Sequence, residues 1–125
     1  MAQDQDRILR SPVRQPFKLY AAKNGRIYAR NRTQKVIDLG ALVREEGGAF
    51  RYELDGNHQS EGGLFTEEEA LHAVARGIRF LWLDGQFTAV ADARDDPSLN
   101  LDGAASIAIE LDEMPPGEPV VDATV

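Results

Sequence analysis

Nine cations, Arg7, Arg10, Arg14, Lys18, Lys23, Arg26, Arg30, Arg32 and Lys35, follow one another between Arg7 and Ile37 without an intervening acidic residue. Two tyrosines, Tyr20 and Tyr28, fall inside that run. Cations attract phosphate whatever the sequence, and aromatic rings give bases a stacking surface, so the chemistry implied is contact with a polyanion. Other reactive residue types are sparse. The chain has no cysteine, which excludes disulfides, thiolate metal sites and thiol nucleophiles. Of its two histidines, His72 falls in a helical pattern between Glu68 and Arg76, and His58 lies in the polar stretch Asn57–Glu61 near Ser60. A catalytic triad requires convergent geometry rather than adjacency in sequence, so neither histidine is assigned a catalytic role. Asp92, Asp95 and Asp96 lack the ordered ligand positions and the glycine of a calcium loop. Neither Gly47-Gly48 nor Gly62-Gly63 opens a dinucleotide fingerprint, and no Walker lysine follows them. The expectation is a binding protein without enzymatic activity, metal or cofactor.

The rest of the chain is acidic. The 125 residues carry a net charge of −7, but that figure hides a division. Residues 1–44 hold ten Lys/Arg against three Asp/Glu, and residues 45–125 hold four against eighteen, giving +7 and −14. Halves of opposite sign suggest a polyanion-binding face, an acidic interaction surface, or both. Two functions are therefore expected. In the first, Arg14, Lys18, Tyr20, Lys23, Arg26, Tyr28, Arg30, Arg32 and Lys35 contact nucleic acid. In the alternative, Glu67, Glu68, Asp92, Asp95 and Asp96 bind a basic partner protein, as DNA-mimicking anti-restriction or anti-CRISPR inhibitors do. The acidic stretch after Ala91 could also fold back on the basic hairpin and compete with polyanions; a cut after Ala91 would then tighten binding. No apolar run approaches the roughly 20 residues of a membrane span, and the first residues lack a signal-type apolar block, so a cytoplasmic location is expected.

The elements that must position these residues are legible in part. Residues 1–13 read as a flexible basic arm, 14–91 as an α+β domain, 92–111 as an acidic extension with an edge strand, and 112–125 as a mobile tail. Lys23-Asn24-Gly25 signals a hairpin between Phe17–Ala22 and Arg26–Asn31. A three-residue loop with Gly25 left-handed pairs Ala22 with Arg26. It places Phe17, Leu19, Ala21, Ile27 and Ala29 on one face, and Lys18, Tyr20, Arg26, Tyr28 and Arg30 on the other. That second face is expected to be an exposed plate of tyrosines and cations. Lys35–Arg44, interrupted by Gly40, reads as an irregular or bulged strand, Phe50–Leu54 as a strand, and Asp55–Gly63 as a polar loop. Thr66 and Glu69 form a capping box, with Phe65 expected as a staple on Ala70, for a helix over about 67–76 stopped by a left-handed Gly77. Ile78–Leu83 reads as a strand turned by Asp84-Gly85 into Gln86–Val90, although the same residues keep helical spacing with Leu71 and Val74. Ser106–Leu111 alternates as an edge strand. The fold class is thus α+β: an antiparallel sheet of about five to six strands with one main helix. The strands followed by a helix entered through Gly63-Leu64-Phe65-Thr66-Glu67-Glu68-Glu69-Ala70 loosely resemble the arm-binding domains of tyrosine recombinases over about fifty residues, a resemblance that carries no functional residue with it.

Overall fold

Alternation along Phe17–Ala21 organises the sheet. In a computed structural model, which describes residues 14–113, β1 (Arg14–Ala21) and β2 (Arg26–Arg30) pair Leu19 with Ala29, Tyr20 with Tyr28 and Ala21 with Ile27. The Ala22 N–H donates to the Arg26 carbonyl at 2.9 Å, and Gly25 has φ +84°. This is the three-residue loop expected from the segregation of apolar residues. Phe17, Leu19, Ala21, Ile27 and Ala29 are all buried on one face. With β3 (Val36–Arg44), β4 (Phe50–Leu54), β5 (Ser60–Leu64) and β6 (Ala105–Asp112) they build an antiparallel sheet of order β5-β4-β3-β2-β1-β6. Two helices, α1 (Glu67–Gly77) and α2 (Phe80–Ala89), close that face over a core that includes Leu54, Leu71, Val74 and Leu83.

β3 carries the expected bulge. Tyr28 opposes Asp38 and Ile27 opposes Gly40, so Leu39 is the extra residue. The Gly40 N–H donates to the Asp38 carboxylate at 3.1 Å. A Cβ at position 40 would lie 2.2 Å from the Glu53 carbonyl oxygen, closer than two such atoms can approach, so glycine is required for strand β4 to pass.

One half of the expected capping box forms: the Glu69 N–H donates to Thr66 Oγ1 at 3.0 Å, whereas the Glu69 carboxylate accepts the N–H of Phe65 at 3.1 Å and not that of the N-cap Thr66. The staple does not. Phe65 is 77% exposed, because the alanine at position 70 is already fully buried in the core.

Three other expectations are corrected. Residues 78–83 are not a strand: Ile78 and Arg79 are extended, and Phe80 starts a second helix with Asp84 and Gly85 in its interior. Burial decides this, since Leu83 and Phe87 lie one turn apart and both pack into the core against the sheet. Phe87 stacks on Phe17 at a centroid distance of 5.8 Å. Gly77 is not a left-handed stop but the last residue of α1, where the Gln59 amide occupies the space of a Cβ at 2.7 Å. The stretch 55–63 is not wholly a loop, because Ser60–Leu64 pairs with β4 as an edge strand. Its Ser-Glu-Gly-Gly-Leu composition has little strand propensity, and backbone pairing supplies the order. The arm over 1–13 and the tail from residue 114 lie outside the described residues.

Candidate nucleic-acid interface

Tyr20 and Tyr28 sit side by side across β1 and β2 on the sheet face away from the helices. That face is not an open plate. Tyr20 is 5% and Tyr28 7% exposed, and with Ala22 and Val36 they form a second apolar cluster packed against Ala93, Leu99, Leu101 and Ala104. The connection between α2 and β6 therefore folds over the tyrosines, and the expectation of exposed stacking rings is corrected. Its few apolar residues explain why: each finds an apolar partner on the sheet rather than water. The Tyr28 hydroxyl accepts from the Asn24 amide at 2.9 Å, and burial pushes the Tyr20 phenol up in pKa against the opposing pull of Arg30.

Asp92 fastens this connection. Its carboxylate accepts the Val36 N–H at 3.1 Å, the Arg94 N–H at 2.9 Å and the Arg94 Nε–H at 2.8 Å. These bonds, above all those from Arg94, lower its pKa to about 2. The Ala93 N–H adds a 2.7 Å bond to the Val36 carbonyl. Asp96 accepts from Ser98 N–H and Oγ, which lowers its pKa too. Two of the carboxylates expected to meet a partner protein, Asp92 and Asp96, thus hold local structure, whereas Asp95 lies on the rim of a cleft.

The cations divide in the same way. Arg14 pairs with Asp112 at 2.7 Å and Glu110 at 3.4 Å across β6. Arg26 donates through Nε to both Asp38 oxygens, at 3.0 and 3.1 Å, and its Nη2 reaches Asp55. Lys35 Nζ donates to the Phe87 carbonyl in the last turn of α2, where a helix favours positive charge. Lys23 is exposed in the hairpin turn, and Arg32 in the β2–β3 turn. Lys18 and Arg30 face each other directly across β1 and β2. Each stands over the Tyr20 ring, 5.4 Å from its centroid. Neither forms an ion pair with a carboxylate among the described residues.

Beside Arg30 opens a cleft of about 350 Å³ lined by Arg30, Gln34, Val36, Arg94, Asp95, Leu99 and Leu101. Gln34 adopts φ +72°, a conformation non-glycine residues seldom take. It lies in a turn organised by Asn31, whose side chain accepts from the Thr33 and Lys35 N–H groups. Arg94 is fixed by Asp92 and by a 3.3 Å bond to the Thr33 carbonyl. Gln34 and Arg94 escaped the sequence reasoning. The one available signal was that Arg94 is the single base between Asp92 and residue 125.

At the other end of the molecule, Glu67 and Glu68 border a hollow of about 460 Å³ with Arg44, Phe50, Phe65 and Thr66. His72 lines a shallow hollow with Leu64, Glu69 and Arg76, and His58 sits exposed in the β4–β5 turn. Among the described residues no cluster of three or more His, Asp or Glu is arranged to hold a metal ion, and no helix is long and apolar enough to cross a membrane. Comparisons with protein families, curated proteins and solved structures find no match for this chain.

Proposed function

We propose that the protein is a non-enzymatic, cytoplasmic accessory factor that contacts nucleic acid through backbone phosphates, at Lys18, Arg30 and Arg32. One observation carries this reading. Lys18 and Arg30 are opposite one another in register, an arrangement that is destabilising for like charges. The chain has 21 acidic residues, yet none among those described pairs with either cation. The Tyr20 face offsets part of the repulsion, and a phosphate group between the cations would remove the rest. The tyrosines act here from below, as a floor for the cations and not as a stacking platform, so no strong preference for single strands is expected.

A titration with single- and double-stranded DNA and RNA at several salt concentrations tests the reading. Three phosphate contacts predict that log affinity falls with log salt at a slope of about −2 for single strands and about −3 for duplex. Lys18→Ala combined with Arg30→Ala should flatten the slope and weaken binding at least about tenfold at low salt. Salt-independent binding, or binding indifferent to the double substitution, dismisses it.

A second reading, a module for a basic protein partner, is favoured by Phe65, which is 77% exposed beside Glu67 and Glu68. Aromatic side chains flanked by charge are common anchors of protein interfaces. A photo-crosslinker in place of Phe65 should capture a basic protein in cells; a silent crosslinker removes this alternative.

A further inference from the structure

The cleft beside Arg30 combines groups that a bare phosphate site would not need. Its floor is aliphatic, made by Val36, Leu99 and Leu101. Its rim carries two guanidiniums, an amide and a carboxylate: Arg30, Arg94, Gln34 and Asp95. Arg94 is already oriented, with its Nε and Nη2 on Asp92 and its Nη1 on the Thr33 carbonyl. Of its five N–H donors two remain for a ligand. Asp95 lines the same cleft and makes no ion pair with Arg30 or Arg94, so its oxygens too are available as acceptors.

A carboxylate on the rim repels free phosphate, but it assists a ligand that is anionic at one end and rich in N–H donors at the other. An aliphatic floor suits the flat face of a ring. A volume of about 350 Å³ stands at the small end of the range for small-molecule sites, room for one such unit. We infer that this cleft is a subsite for a single nucleotide: Arg30 and Arg94 take its phosphate, Val36, Leu99 and Leu101 lie under the base, and Asp95 accepts from the base edge. Guanine is the base of choice, because its adjacent ring N–H and amino group fit two carboxylate oxygens at once, while Gln34 can bond the neighbouring carbonyl. The ligand is either a free nucleoside monophosphate or the phosphorylated terminal nucleotide of a strand. The inference rests on the phosphate-contact reading above, to which it adds a base and a position.

The test measures binding by heteronuclear NMR and calorimetry to the full chain. The probes are guanosine, adenosine, cytidine and uridine monophosphates, inorganic phosphate, and short oligonucleotides with or without a phosphorylated terminal guanosine. The guanosine monophosphate should bind most tightly and inorganic phosphate most weakly, with shifts at Gln34, Val36 and Leu101. Arg30→Ala should weaken all nucleotides about tenfold or more, with Arg30→Lys as a folded control that retains charge. Asp95→Asn should leave phosphate contact in place and erase the preference for guanine. Tighter binding of the phosphorylated oligonucleotide than of the monophosphate assigns the subsite to strand ends, and the reverse assigns it to free nucleotide. If no probe saturates the cleft, or Asp95→Asn leaves the base order unchanged, the subsite is overturned. Salt-dependent binding of long nucleic acid that still depends on Lys18 and Arg30 would then leave the broader reading standing; its loss as well would remove both.

Discussion

Arg26 and Arg30 lie on the same strand, four residues apart, and point to the same side of the sheet. Arg26 meets Asp38 and Asp55. Arg30 meets a tyrosine ring and a second cation. The difference originates in β3. There the extra residue Leu39 and the Gly40 N–H hold the Asp38 carboxylate against Arg26, whereas the position facing Arg30 on β3 is Val36. Identical residue types in one run of sequence are therefore ion-paired at one end of the strand and without a described carboxylate partner at the other. Counting cations along a chain does not separate the two; knowing what lies across the sheet does.

Removing the ring beneath Arg30 should have the largest effect. Tyr20→Ala should destabilise the protein by about 3 kcal/mol in urea titrations, as truncation of a buried aromatic does. A value below about 0.5 kcal/mol, usual for exposed positions, would restore the open plate. A smaller effect is expected from Asp38→Asn, which releases Arg26 and weakens the bulge. The pair is about one third exposed on each side, so the loss should be only about 1 kcal/mol. Affinity for nucleic acid should rise at low salt as a further cation becomes available; a fall would mean that Asp38 positions the interface. The smallest effect concerns pH. The Asp92 carboxyl titrates at about 2 in the folded chain, below its ordinary 3.8. Its contribution is complete above about pH 4 and lost as pH falls towards 2. The Val36 and Arg94 amide resonances, followed by NMR, should hold constant down to about pH 4 and then move together. Movement centred at pH 4 or above would show that Asp92 does not fasten the connection.

Period and turn chemistry make much of the sheet readable in the sequence. Alternation with Gly25 placed the hairpin register, Gly40 marked the bulge, and Thr66 and Glu69 marked the start of α1. Where burial outweighs local preference, the reading failed. Ile78–Leu83 has the side chains of a strand, but a helix brings Leu83 and Phe87, one turn apart, into the core together, with Phe87 on Phe17. The tyrosines failed for a different reason. Their face was assigned correctly, yet what covers it comes from Leu99 and Leu101, some seventy residues or more away and surrounded by acids that mask two leucines. Contact between such distant segments leaves no periodic trace. The described part of the acidic stretch does lie over the hairpin, but through its apolar residues. A cut after Ala91 would also remove β6, an integral strand of the sheet, and so cannot isolate the effect of the charges.

The pairing of β6 with β1 sets the order in which this molecule can be completed. Arg14 and Asp112 are 98 residues apart, so at translation rates of about 5–20 residues per second the first strand waits roughly 5–20 s for its outer neighbour. Until then the β1 edge is an unpaired template for another strand, although the residues that cover Tyr20 and Tyr28 have already been made. A chain that stops short of Ala105 therefore leaves β1 open along one edge, and the strand that seals it is the one furthest from it in the described sequence.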